Sequence, residues 1–84
     1  MAYEVLVARK VEKYLAKIPQ GDHDRIQATI DALADEPRPE KCDKLRLDAG
    51  FKIRVGNHRV LYTVVDEERV VRVYRVGDRK DVYR

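Results

Sequence analysis

The stretch Phe51-Lys52-Ile53-Arg54-Val55-Gly56-Asn57-His58-Arg59-Val60-Leu61-Tyr62 contains two β-rich alternating runs separated by a single dipeptide. A two-residue Gly-Asn spacer signals a tight hairpin with a primed turn. The turn sets the register: Val55 pairs with His58, Arg54 with Arg59 and Lys52 with Leu61. Residues that oppose each other share a face of the sheet. One face then carries Ile53, Val55, Val60, Tyr62 and Val64. The other carries Lys52, Arg54, Arg59, Leu61 and Thr63. The next loop, 66–69, has an even number of residues. The simplest pairing across it puts Val71 and Val73 on the apolar face and Arg72 and Tyr74 on the cationic one.

The apolar face needs a cover, and the N-terminal half supplies it. Residues 3–8 alternate as a first strand. Val11, Leu15 and Ile18 then repeat at helical spacing, which predicts a helix from about Arg9 to Lys17, ended by Pro19. Asp22 is placed to cap a second helix that carries Ile26, Ile30 and Leu33. That helix closes around Asp35, Glu36, Pro37 and Pro39. Neither helix is long enough to be stable alone in water. Both must pack on the sheet built from a short segment at Lys44–Leu47, a turn at Asp48-Ala49-Gly50, and strands at 51–55, 58–65 and 70–76. The expected fold is α+β: an N-terminal strand, an antiparallel helical hairpin, then a mainly antiparallel sheet with the helices on one face. Residues 1–84 read as one domain.

Charge is uneven along the chain. The formal net charge is +3, with 44% hydrophobic and 39% charged residues, a balance that excludes a disordered tail. Residues 1–43 hold seven Lys/Arg against nine Asp/Glu, and residues 44–84 hold eleven against six. The basic half points to a polyanion or an acidic partner. The longest strictly apolar stretch, Val5 to Ala8, is far short of the ~20 residues of a membrane span. No secretory signal is visible, and the single Cys42 cannot form an internal disulfide, so cytoplasm is the expected compartment. One Cys and two separated His, His23 and His58, offer no metal-ligand spacing, so no metal or other cofactor is expected.

The cationic face is the informative one. Arg54 and Arg59 are direct cross-strand neighbours, with Lys52 two residues away. Like charges placed opposite each other are destabilising, and neither strand run contains a carboxylate to offset them. Folding physics gives no reason to assemble this group, although a solvated face with its cations splayed apart is the plain alternative. A phosphate ligand gives a reason, because guanidinium forks fit its oxygens bidentately. The remaining polar candidates have structural readings. His58 falls at the end of the apolar face, His23 at the second helix start, Cys42 in a polar loop, and Asp66-Glu67-Glu68 in a solvated turn.

This hairpin, the ending Val76-Gly77-Asp78-Arg79-Lys80-Asp81-Val82-Tyr83, the Lys44-Leu45 step, the Glu36-Pro37 helix end and the element order together resemble the RelE/ParE toxin superfamily. The resemblance covers essentially the whole chain and leans to the RelE branch. It implies the toxin of a type II toxin–antitoxin pair, a metal-independent endoribonuclease that cuts messenger RNA in the ribosomal decoding site and is neutralised by a cognate antitoxin. It also implies site residues. Lys52 and Arg54 match the paired basic residues of the first hairpin strand, and Arg59 matches the arginine after the turn. Arg79 matches the arginine after the last strand, and Tyr83 the tyrosine near the end. Arg72, Tyr74 and Lys80 join Lys52, Arg54 and Arg59 as RNA-binding candidates. Two departures stand out: the sequence ends at Arg84, short of the C-terminal helix of some members, and Arg54 stands where lysine is common. Either Lys52 or Tyr83 could serve as base, or Tyr83 could orient the nucleotide. A ParE-like toxin that poisons DNA gyrase is the competing expectation. A decayed toxin that only binds antitoxin is the third.

Overall fold

The structure is a computed structural model, described here over residues 2–45 and 50–78. In chain order the elements are β1 (Glu4–Val7), α1 (Arg9–Leu15), α2 (Gln20–Ala32), β2 (Cys42–Lys44), β3 (Gly50–Val55), β4 (His58–Val65) and β5 (Val70–Asp78). The strands form one sheet in the order β1-β5-β4-β3-β2. All neighbours are antiparallel except β1 with β5, which run parallel. The two helices and this mostly antiparallel sheet make the expected α+β fold.

The β3–β4 register is the one the dipeptide dictates: Val55 opposite His58, Arg54 opposite Arg59, Lys52 opposite Leu61. Gly56 makes this possible with φ of 59°, while Asn57 keeps a negative φ. A positive φ at the first central position alone is the II′ arrangement, whose twist suits the flanking strands. The β4–β5 connection uses a different device. Arg69 takes a left-handed φ of 53°, its amide donates to the Asp66 carbonyl at 3.2 Å, and its own carbonyl accepts from Glu4 of β1 at 2.8 Å. That second bond fastens the parallel edge strand.

The core lies between the helices and one face of the sheet. Val11 and Leu15 come from α1, and Ile26, Ile30 and Leu33 from α2. They meet Ile53, Val60, Tyr62, Val71, Val73 and Val76. Tyr62 is fully buried and stacks on Phe51 at 5.6 Å between ring centroids. Its hydroxyl donates to the Pro37 carbonyl at 2.8 Å, tying the segment after α2 to the middle of the sheet. Burial pushes the Tyr62 phenol well up from its ordinary value, with nearby Cys42 adding to the effect.

Several local expectations are corrected. Asp22 does not cap α2. The helix begins at Gln20 with Pro19 at the cap position, and the Asp22 carboxylate instead pairs with Arg25 and His58. The first helix ends at Leu15, two residues earlier than its apolar repeat suggests. β2 spans Cys42–Lys44 rather than Lys44–Leu47, and just after it the Leu45 amide donates to the Gly50 carbonyl at 2.9 Å. The remainder of the 44–47 segment and the Asp48-Ala49 turn lie outside the described residues. Cys42 is therefore a half-buried strand residue opposite Ile53 rather than a loop bystander. The acidic turn is not simply solvated either. Asp66 accepts two bonds from Arg38, at 3.1 and 2.8 Å, and one from the Tyr3 hydroxyl at 2.7 Å. Arg38 also lies 5.5 Å over the Phe51 ring.

Two outcomes follow. Tyr62→Phe leaves the Pro37 carbonyl without this donor. We expect a loss of about 1–2 kcal/mol, read as a fall of ~4–8 °C in melting temperature per kcal/mol for a domain of this size. Arg38 and Tyr3 hold the Asp66 carboxyl below its usual value. A carboxyl depressed in the folded state stabilises above its unfolded value, about 3.9, and that stability is lost as pH falls through the folded value. Asp66→Asn should therefore lower the melting temperature at neutral pH and make the acid limb of a stability-versus-pH profile shallower below about pH 4.

Candidate nucleic-acid interface

The face of the sheet turned away from the helices is built row by row from the register. In the first row Arg54 of β3 opposes Arg59 of β4, which opposes Gly77 of β5. Gly77 brings no side chain next to Arg59. Arg54 is exposed, whereas only 7% of the Arg59 surface is exposed, so one guanidinium stands proud of the sheet while the other lies down in it. In the second row Asp43 of β2 opposes Lys52 of β3, then come Leu61 of β4 and Arg75 of β5. Leu61 is buried, with only 6% of its surface exposed, between these two long cations. Their aliphatic stems are suited to cover it while the charged ends reach outward. In the third row Gly50, Thr63 and Arg72 lie across β3, β4 and β5, and Leu6 of β1 opposes Arg72.

Arg75 is the residue that sequence reasoning missed. The simplest β4–β5 pairing holds from Val65↔Val70 to Tyr62↔Val73, then shifts by one, so that Leu61 opposes Arg75 and Val60 opposes Val76. Tyr74 is the extra residue of this bulge. The bulge removes Arg75 from the apolar face and adds it to the cationic one. The signal was present in the spacing of the buried valines, 71, 73 and then 76. A strict two-residue period would have put Arg75 into the core. Tyr74 stays on the open face. Its hydroxyl lies 3.4 Å from where a Cβ on Gly50 would sit, so the side chain crosses over β4 to reach β3.

Thus Lys52, Arg54, Arg59, Arg72 and Tyr74 share one face, joined by Arg75. Arg79, Lys80 and Tyr83 lie outside the described residues; Arg79 directly follows Asp78, which opposes His58 at the turn end of β4. Lys52 has an acidic neighbour in Asp43, which inspection of the hairpin strands alone could not reveal because it comes from β2.

Behind the first row, His58 is buried on the helical side. Its Nδ1 is 2.8 Å from the Tyr14 hydroxyl, and its Nε2 is 3.4 Å from an Asp22 carboxylate oxygen. The imidazole thus sits between the Tyr14 hydroxyl of α1 and the Asp22 carboxylate of α2, within hydrogen-bond reach of both. Arg25 first, and His58 second, hold the Asp22 carboxyl below its ordinary value. The histidine therefore links both helices to the strand that carries Arg59. His23 is half-buried and lies 3.3 Å from Asp24. Among the described residues no group of three or more His, Cys, Asp or Glu could hold a metal ion. No helix among them is long and apolar enough to cross a membrane.

Comparison with known proteins is consistent along the whole chain. Residues 5–83 match the family described as the ParE toxin of the type II toxin–antitoxin system parDE. Toxin RelE1 of Methanocaldococcus jannaschii is 28% identical over 88 residues, spanning 100% of this chain and 98% of that protein. The RelE–RelB complex of Pyrococcus horikoshii OT3 contains a chain that superposes with a TM-score of 0.86 at 26% identity, covering 98% of this chain and 100% of that one. The chain belongs to the RelE/ParE superfamily, in its RelE-like branch. In the intact E. coli RelBE toxin–antitoxin complex, the matching chain gives a TM-score of 0.79 at 28% identity, covering 92% of this chain and 96% of that one. The protein is thus a RelE toxin of the type II toxin–antitoxin class.

The opposed arginines of this toxin carry a cost that can be measured. Arg54→Thr removes one of two like charges that face each other and introduces a β-branched residue suited to a strand. It should stabilise the fold by up to about 1 kcal/mol while weakening retention on a polyanion column. A melting temperature that falls in low-salt buffer would contradict this reading.

Proposed function

We propose that this toxin cuts messenger RNA on the ribosome by activating the RNA's own 2′-hydroxyl. The observation that supports the reading is the direct opposition of Arg54 and Arg59, with Lys52 and Arg75 in the adjoining row. In this reaction the 2′-oxygen attacks the adjacent phosphorus, and the bond from phosphorus to the 5′-oxygen breaks. The 2′-hydroxyl proton passes to a base, and the leaving 5′-oxygen receives a proton. The products are a 2′,3′-cyclic phosphate and a 5′-hydroxyl. Negative charge builds on the phosphoryl oxygens in between, and preplaced guanidiniums stabilise that charge without reorganising.

Arg59, held low in the sheet, and Arg54 beside it serve as the phosphate clamp. Arg75 extends the positive field along β5, and Arg79 stabilises the transition state or the leaving oxygen. Lys52 and Tyr83 are the candidates for proton transfer, and Tyr83 also suits stacking against a base. Arg72, Tyr74 and Lys80 hold flanking nucleotides. Arginine stays charged at every relevant pH, so the two arginines of the first row act as electrostatic groups and not as proton carriers. No histidine–carboxylate pair faces the site from the described residues; the His58–Asp22 pair lies on the helical side. That fits an enzyme that depends on the ribosome to orient its substrate. The RelE–RelB complexes among its relatives support a cognate antitoxin as partner. An acidic, amphipathic antitoxin segment would suit the cationic face.

A second reading is favoured by the description of the matching family itself, a ParE toxin: binding and poisoning of DNA gyrase. One experiment separates the two. The toxin is induced in cells and messenger ends are mapped. Codon-phased cuts that fall about 10²–10³-fold in Arg59→Ala, and that also fall in Arg75→Ala and Tyr83→Phe, support the nuclease. Intact messages together with trapped gyrase–DNA complexes select the second reading.

A further inference from the structure

Attack by a 2′-hydroxyl needs a base, and the cationic rows are poor in one. Arginine stays charged at every relevant pH and accepts no proton, and a lysine must first lose its own. The paired strand residues of the open face include two carboxylates. Glu4 of β1 opposes Val70 of β5 at the far edge. Asp43 of β2 opposes Lys52 in the second row. Asp43 is exposed, and no hydrogen bond or ion pair to another described residue holds its carboxylate. We propose that Asp43 is the general base of the reaction and takes the proton of the 2′-hydroxyl. The inference rests on the nuclease reading above and deepens it.

Position selects Asp43 over Glu4. Asp43 and Lys52 are direct cross-strand partners, and Arg54 lies two residues along β3 on the same face. Diagonal neighbours of this kind stand about 7–8 Å apart, within reach of long side chains. Glu4 belongs to the row of Val65 and Val70. That row is six residues along β4 from Arg59, or about 20 Å at ~3.3 Å per residue. A phosphate clamped by Arg54 and Arg59 therefore has Asp43 on one flank. The sheet order puts β5 on the other flank, because β3 and β4 lie between β2 and β5. Such a two-sided site suits in-line displacement, in which the attacking and leaving oxygens sit on opposite sides of the phosphorus.

The chemistry then divides cleanly among the residues. The 2′-hydroxyl proton passes to the Asp43 carboxylate, the 2′-oxygen bonds to phosphorus, and the bond from phosphorus to the 5′-oxygen breaks. The leaving oxygen takes a proton from water or from the Tyr83 phenol. Lys52 keeps its ammonium and stabilises the charge that builds on the phosphoryl oxygens beside the base. The plain alternative is that Asp43 only offsets the positive charge of Lys52. The two roles differ in kinetics: an offset changes RNA binding, whereas a base acts in the chemical step.

The test mixes excess toxin with ribosomes carrying a defined messenger and follows single-turnover cleavage between about pH 6 and pH 8. Wild type, Asp43→Asn and Asp43→Glu are compared, with thermal melts to verify folding. The wild-type rate should stay level across this range, because a carboxylate is already ionised there. Asp43→Asn should lower the saturated rate constant about 10²–10⁴-fold and leave the half-saturating toxin concentration unchanged or lower. Its remaining rate should climb about tenfold per pH unit, as hydroxide or a lysine takes over as base. Asp43→Glu, which retains a carboxylate, should restore the level profile. Folded Asp43→Asn that cuts at the wild-type rate, or that changes only the half-saturating concentration, overturns the proposal and leaves the nuclease reading intact. So does a wild-type rate that climbs about tenfold per pH unit, which assigns the base to Lys52. If the wild type leaves the messenger whole, the nuclease reading falls and takes this inference with it.

Discussion

The hydrogen-bonded register of the β3–β4 hairpin constrains everything else in this toxin. A two-residue turn with Gly56 at positive φ leaves no freedom in the pairing. Ile53 must meet Val60 on one face, and Arg54 must meet Arg59 on the other. A one-residue slip would exchange the faces, exposing the core residues and burying the cations. The helices can dock only because the first outcome is enforced, and the arginines come together for the same reason. Stability and the charged site are thus two sides of one backbone geometry.

The helical side reinforces that geometry at the turn end of the sheet, where Arg54 opposes Arg59. Directly behind them, His58 bonds Tyr14 of α1 and Asp22 of α2, and Asp22 in turn pairs with Arg25. The turn is therefore tied to both helices at the end of the sheet that carries the like charges. At the opposite end, Asp66 gathers Arg38 and Tyr3. The two ends are stabilised differently: a buried imidazole network at one, an exposed ion pair at the other. Exposed pairs contribute little and are screened by salt, so the buried network is the stronger restraint on the arginine row.

The sequence was most readable where local chemistry determines geometry. The Gly56-Asn57 spacer predicts the pairing of Arg54 with Arg59, and the helical repeats of Val11, Leu15, Ile26 and Ile30 predict the covering layer. It was least readable where distant segments decide. Asp43 approaches Lys52 only because β2 adds to the edge of β3. Arg75 reaches the open face only because β5 bulges at Tyr74. Asp22 looked like a helix cap because its proximity to Arg25 and to a histidine 36 residues away is tertiary. The valine spacing breaks its two-residue period between Val73 and Val76, but only packing shows that both are buried and that the extra residue is a bulge.

The bulge at Tyr74 bears directly on the open face of the sheet. Without it, Val76 would leave the core and Arg75 would enter it, a buried cation facing the helices at a cost of several kcal/mol. With it, one shift satisfies the core through Val76, adds Arg75 to the cations Lys52, Arg54, Arg59 and Arg72 on the open face and sets Tyr74 across β4 towards Gly50. A demand of packing on one side of a sheet thereby dictates charge on the other. The cationic surface need not have been assembled residue by residue for its ligand. Much of its shape follows once the apolar face is filled, leaving the identity of the outward side chains as the part free to be tuned for RNA.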